Sequence, residues 1–159
     1  MAGYVNESGR LEMKEECVEK MIFINLPVSD LTRSKAFYEA VGAVNVPEFT
    51  DDTAAMMKFS DTISAMLLTR ERFAGFTPRA IPNAHETAQV LLALSEESRA
   101  AVDATLARAV AAGGVGDPNP KQDHGFMYGR SFADPDGHIW ELAWMDVEAA
   151  MASNADATA

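Results

Sequence analysis

Apolar and polar positions along this chain fall into a pattern that occurs twice. Residues 21–28, MIFINLPV, are rich in β-branched and apolar side chains, which predicts a strand. Asp30 follows as a helix N-cap, Leu31, Phe37, Tyr38 and Val41 recur at helical spacing in LTRSKAFYEAVG, and Gly42 ends that helix. Residues 87–95, TAQVLLALS, read as a second apolar strand. Ser95 then caps EESRAAVDATLARAVAAGG, with Val102, Leu106 and Val110 as the buried row and Gly113 and Gly114 as the stop.

After each helix come shorter extended segments. They are VNVPEF, AAMMKFS and TISAMLLT in the first half, and GVGDP, GFMYGRSFA and HIWELAWM in the second. Strand, helix and three strands, repeated, predicts an α+β fold: two βαβββ modules forming a cupped mixed β-sheet, helices on the convex side and a hollow left for a ligand. The modules span 21–69 and 86–146, joined by RERFAGFTPRAIPNA, within one domain over 21–148. Residues 1–20 are polar and aperiodic and read as a flexible or loosely docked extension, and 149–159 as a disordered tail.

One carboxylate, Glu141, interrupts the apolar last strand. Burying an ionised acid costs several kcal/mol, by order of magnitude, unless a cation or donors meet it, so Glu141 requires a partner. By alternation Ile139, Glu141 and Ala143 face the hollow, while Trp140, Leu142 and Trp144 face a helix or a partner chain. A hairpin around ADPDG that sets Phe132 across from Ile139 brings Arg130 opposite Glu141 and Tyr128 opposite Ala143. In that register Arg130 is the cation that Glu141 needs.

A formal net charge of -11 argues against nucleic acid and anionic membranes as partners. The single cysteine, Cys17, excludes an internal disulfide framework and a multi-cysteine metal site. No apolar run approaches the ~18 residues of a membrane span, and the acidic N-terminus does not read as a signal peptide, so the expected address is the cytoplasm.

The repeated module, the opening NLPVSDLTRSKAFYEAVG and above all FADPDGHIWEL resemble the glyoxalase/bleomycin-resistance/extradiol-dioxygenase group, the vicinal oxygen chelate superfamily, over roughly residues 21 to 146. That resemblance implies paired modules whose cupped sheet holds a divalent metal on His, Gln or Glu side chains, in proteins that often work as dimers. The chain departs from it at the ligand positions. These fall on Phe23, Leu67, Leu91 and Glu141, and only Glu141 can donate to a metal, which normally needs about three protein ligands. No metal or other cofactor is therefore expected. The replacements make the hollow greasy and suited to a small apolar or aromatic molecule, with Asn25, Thr69, Gln89, Tyr128 and Arg130 as polar contacts and Glu141 as the base if any reaction is catalysed.

Other readings stand beside this one. Glu141 can equally be a purely structural acid. A metal-dependent lyase of the lactoylglutathione lyase type requires a site rebuilt from His124 or His138, which spacing places in a loop and a turn; His85 lies between the modules. A partner-binding module would use Trp140 and Trp144 as its interface. Met56, Met57 and Met66 read as core or pocket filler, and Asp134, Asp136 and Gly137 as turn-makers. A homodimer is implied by the resemblance.

Overall fold

The computed structural model describes residues 3–5, 11–13 and 20–156. Two short strands, β1 (Gly3–Val5) and β2 (Leu11–Met13), pair antiparallel inside the segment expected to be a loose extension. The rest of 1–19, Cys17 included, lies outside the described residues. The first module follows as β3 (Ile22–Val28), α1 (Leu31–Ala40), β4 (Val44–Thr50), β5 (Ala54–Lys58) and β6 (Ile63–Thr69). A short helix α2 (Arg70–Ala74) opens the connection to the second module: β7 (Leu92–Ser95), α3 (Arg99–Ala111), β8 (Val115–Gly116), β9 (Gln122–Asp123), β10 (Met127–Ala133) and β11 (Ile139–Met145). A final helix, α4 (Val147–Asp156), runs through most of the segment expected to be a disordered tail. No helix among the described residues is long and apolar enough to cross a membrane.

The predicted α+β class and the doubled strand, helix, three-strand order are both present, as a four-stranded sheet β3-β6-β5-β4 and a five-stranded sheet built on β7-β11-β10-β8. In each, the first and last strands of the module run parallel and the hairpins antiparallel. The second-strand position of module two is split into β8 and β9, both paired to β10. β7 begins at Leu92, later than residue 87. Its ladder is set by β11, and the first pair is Trp140 with Leu92, so residues 87–91 have no strand to join. Ser95 consequently stays in the ladder opposite Ala143, and the N-cap of α3 is Ser98, whose Oγ accepts from the Ala101 N–H at 3.0 Å. Val110 is exposed and Ala109 buried in its place, because a row of every fourth residue drifts off one face of a 3.6-residue helix.

One core joins the modules. Leu26, Ala65 and Leu67 from the first sheet, Phe37 and Tyr38 from α1, and Leu106, Phe132, Trp140 and Leu142 from the second module form a single cluster. Tyr38 meets Trp140 edge-on with ring centroids 6.0 Å apart, and Phe37 meets Phe132 at 5.7 Å. Such pairs add about 0.5–1.5 kcal/mol each beyond burial.

Polar contacts then grip α1 at both ends. At its start Asp30 caps Arg33 N–H at 2.9 Å. Asp136, from the β10–β11 turn of the other module, accepts from Ser29 N–H at 2.8 Å, Ser29 Oγ at 2.6 Å and Ser34 Oγ at 2.9 Å, with Arg33 at 3.5 Å. At its end Arg108 of α3 donates to the Ala40 carbonyl at 3.1 Å. An acid at the N-terminus and a cation at the C-terminus both complement the helix dipole. Burial pushes the Asp136 carboxyl up, but the bonds from Ser29 and Ser34 and the charge of Arg33 outweigh it and hold it below the usual carboxylate range.

Candidate functional site

The β10–β11 hairpin closes one residue tighter than the sequence suggests. Ala133 pairs with Ile139 and Phe132 with Trp140, across a turn fastened by Asp134 N–H to the His138 carbonyl at 2.9 Å. A one-residue slip exchanges the faces of every side chain on the strand, so the Arg130–Glu141 pair does not exist. Arg130 stands opposite Leu142 on the helix side, where it donates to Asp103 of α3 at 2.8 Å and to both oxygens of Asp117. Those bonds lower the Asp117 and Asp103 carboxyls and raise the guanidinium. Tyr128 stands opposite Trp144, and its hydroxyl donates to Asp103 at 2.8 Å. Arg130 also borders the small cavity that Glu141 lines.

Glu141 keeps its predicted face, opposite Ser131. It is half-buried, and its described partner is an amide: Asn119 Nδ2 donates to Oε1 at 3.2 Å. Asn119 is itself tied to Ser131 Oγ through its backbone N–H at 3.1 Å. These residues, with Gln122 and Met127, line a small cavity of about 150 Å³.

A larger cavity of about 240 Å³ lies elsewhere, at the seam where the edge strands β3 and β7 face each other without a shared ladder. The connection between modules roofs it with Phe73, Ile81, Pro82 and Val90, and Leu26, Pro27, Leu92 and Ile139 form its floor. Polar side chains come from Asn25, Thr87, Gln89 and His138. Close packing of roof on floor needs Gly137: it has φ of 94°, and a Cβ there would sit 2.6 Å from the His85 backbone nitrogen.

Beside this cavity the DPDG turn builds a relay. Asp134, fully buried, accepts from Tyr38 Oη at 2.8 Å and from His138 Nδ1 at 3.0 Å through one oxygen. Its other oxygen takes the backbone N–H groups of Asp136 at 3.0 Å and His138 at 2.8 Å. Tyr38 Oη in turn accepts from Trp140 Nε1 at 3.0 Å. Burial, followed by the Asp134 charge, holds the Tyr38 hydroxyl well above its ordinary pKa.

The predicted ligand residues thus divide. Asn25 and Gln89 reach the seam cavity. Phe23 is exposed, on the sheet face away from the helices by alternation, and Leu91 is exposed just ahead of β7. Leu67 is buried in the core on the helix side. Thr69 accepts from Arg72 N–H at 3.2 Å as the cap of α2. Sequence reading missed the linker residues Phe73, Ile81 and Pro82, and it took Asp134 and His138 for turn chemistry. The signal available was two acids and a histidine in five residues.

A divalent ion does not fit this donor set. Phe23, Leu67 and Leu91 lack donors, Glu141 already takes an amide N–H, and the described residues contain no group of three His, Cys, Asp or Glu side chains placed to hold a metal.

With this geometry, residues 20–142 match the family model described as Glyoxalase/Bleomycin resistance protein/Dioxygenase superfamily. The chain belongs to that superfamily. Among solved structures similar to this superfamily member is a glyoxalase-related enzyme from Fulvimarina pelagi, at 25% identity and TM-score 0.67, covering 80% of this chain and 88% of that one. Another is the hypothetical protein SA1046 from S. aureus, at 25% identity and TM-score 0.66, covering 77% and 92%. TnmS3, an antibiotic binding protein from Streptomyces sp. CB03234, shares the fold at 21% identity and TM-score 0.58, covering 82% and 98%. No curated protein matches the sequence.

Proposed function

We propose that this superfamily member binds a small, mostly apolar or aromatic molecule, without a metal ion, in the cavity at the seam between its modules. The observation that carries the reading is the cavity itself: about 240 Å³, walled by Phe73, Ile81, Pro82 and Ile139, with Asn25 and Gln89 for orientation. Apolar cavities of about 150 Å³ hold benzene, so this one admits a single substituted ring. A fold neighbour that binds an antibiotic supports the scaffold as a binding cup and says nothing of the ligand taken here. Glu141 and its own small cavity offer a second place for a polar substituent or a base, whereas the metal-dependent lyase needs a donor group that is not found among the described residues. The same reading makes the protein a cytoplasmic homodimer, exposed Phe23, Leu91 and Met145 being apolar area for a second copy; light scattering in solution tests the dimer.

The cavity is tested by thermal shift with toluene, phenol and indole, each with and without chelator, because a ligand that binds only the folded state raises its Tm. The expected result is a chelator-independent rise that disappears in Ile139→Trp, which fills the space. A rise that needs added zinc or manganese, or none with any ring, overturns the proposal.

A further inference from the structure

His138 is the one titratable side chain among those lining the seam cavity. Its Nδ1 lies 3.0 Å from Asp134 Oδ2. A carboxylate can only accept, so the proton of that bond sits on Nδ1, and a neutral ring then presents a bare lone pair at Nε2. No described residue bonds Nε2, and it is not sealed in the core, since the buried side-chain polar atom without a partner among the described residues is Ser64 Oγ. Nor can the ring easily turn away. Asp134 is fixed by Tyr38 Oη and by two backbone N–H groups, one of them that of His138. Trp140 Nε1 fixes Tyr38 in its turn. A buried network of this length is a large commitment for a turn on the edge of a cavity. It fixes the Nδ1 side of a ring that belongs to the lining of a largely apolar cavity.

We propose that Asp134 and His138 form an acceptor dyad whose Nε2 takes a hydrogen bond from a ligand hydroxyl, so that the ligand class is a phenol or similar weakly acidic ring alcohol. This rests on the reading of the seam cavity as the binding site. Asn25 and Gln89 each offer both a donor and an acceptor and discriminate little between substituents, whereas a deprotonated imidazole nitrogen rewards a donor. Ligand anions are disfavoured. They would be desolvated near the buried Asp134 charge, with no cation in the cavity lining to offset it. Hydrocarbons fit but displace water from the lone pair without replacing its hydrogen bond, which costs binding energy.

The test compares phenol with toluene, equal in size and differing in the donor, by calorimetry at pH 8, above the ordinary imidazole range. The dyad predicts about tenfold tighter binding of phenol. It also predicts that His138→Phe still binds toluene and loses the preference. Nitrogen-15 spectra of the unaltered protein give a readout that does not depend on any variant folding: phenol should shift the His138 Nε2 resonance and toluene should not. If both rings bind with equal affinity, or the preference survives in His138→Phe, or Nε2 does not respond to phenol, the dyad is overturned while the cavity stands. If neither ring binds, the cavity reading falls and the dyad with it.

Discussion

Two turns occupy the same place in the two modules and do different things. The β5–β6 turn is closed locally: Ser60 Oγ accepts from Thr62 and Ile63 N–H, and Lys58 pairs with Asp61 at 2.7 Å, Asp61 being 95% exposed. The β10–β11 turn, 134–138, is only one residue longer than 59–62, yet one of its acids, Asp134, is wholly buried and the other, Asp136, reaches the first turn of a helix in the other module. Turn geometry asks only for short polar residues and a glycine. What differs is where the carboxylates point. The first turn ends a hairpin, and the second ties two halves of the molecule together beside a cavity.

Four substitutions probe that difference, from the largest expected effect to the smallest. Asp134→Ala strands the fully buried Tyr38 Oη and takes away the partner of His138 Nδ1, and should lower stability by about 3 kcal/mol in a urea titration. A loss under about 1 kcal/mol would mean that the network contributes little. Gly137→Ala meets both a positive φ and the His85 backbone, and about 2 kcal/mol is expected from thermal unfolding, with faster proteolysis of the 76–90 connection as a second readout. Asp136→Ala removes the contact with α1 and should cost about 1–2 kcal/mol near neutral pH. Because the folded state holds the Asp136 carboxyl below its unfolded value of about 3.9, its contribution is present above pH ~4 and is lost as pH falls through the lower folded value. The gap between parent and variant should therefore narrow on acidification, and a gap that widens would contradict the assignment. Lys58→Ala, in the other turn, should change stability by less than about 0.5 kcal/mol, as an exposed pair does. A cost as large as that of Asp136→Ala would erase the contrast between the turns.

How far the sequence reveals this molecule depends on the range of the interaction involved. The doubled module, the cap at Asp30 and the stop at Gly42 are written in local pattern, and all three are present. The register of the last hairpin is not. It depends on whether the turn holds one residue more or fewer, and that single count moved Arg130 and Tyr128 from the hollow to the helix side. Leu67 failed similarly, since its strand is apolar on both faces and alternation offers no label for which one is inside. The seam cavity was illegible for another reason. Phe73, Ile81 and Pro82 sit in a connection with no periodicity, and only the tertiary fold lays them over β3 and β7. Glu141 was recognised as an acid in need of a partner, but that partner, Asn119, comes from a segment 22 residues away whose proline-rich sequence carries no sign of it.

The clamp on α1 has a consequence for assembly. Nothing in the bonds between Asp136 and Ser29, or between Arg108 and Ala40, requires that both partners belong to one polypeptide; residues 70–91 merely keep the halves at high local concentration. Two copies could exchange halves and rebuild every one of these contacts between chains. In the single chain the tether of residues 70–91 closes the clamp on its own α1.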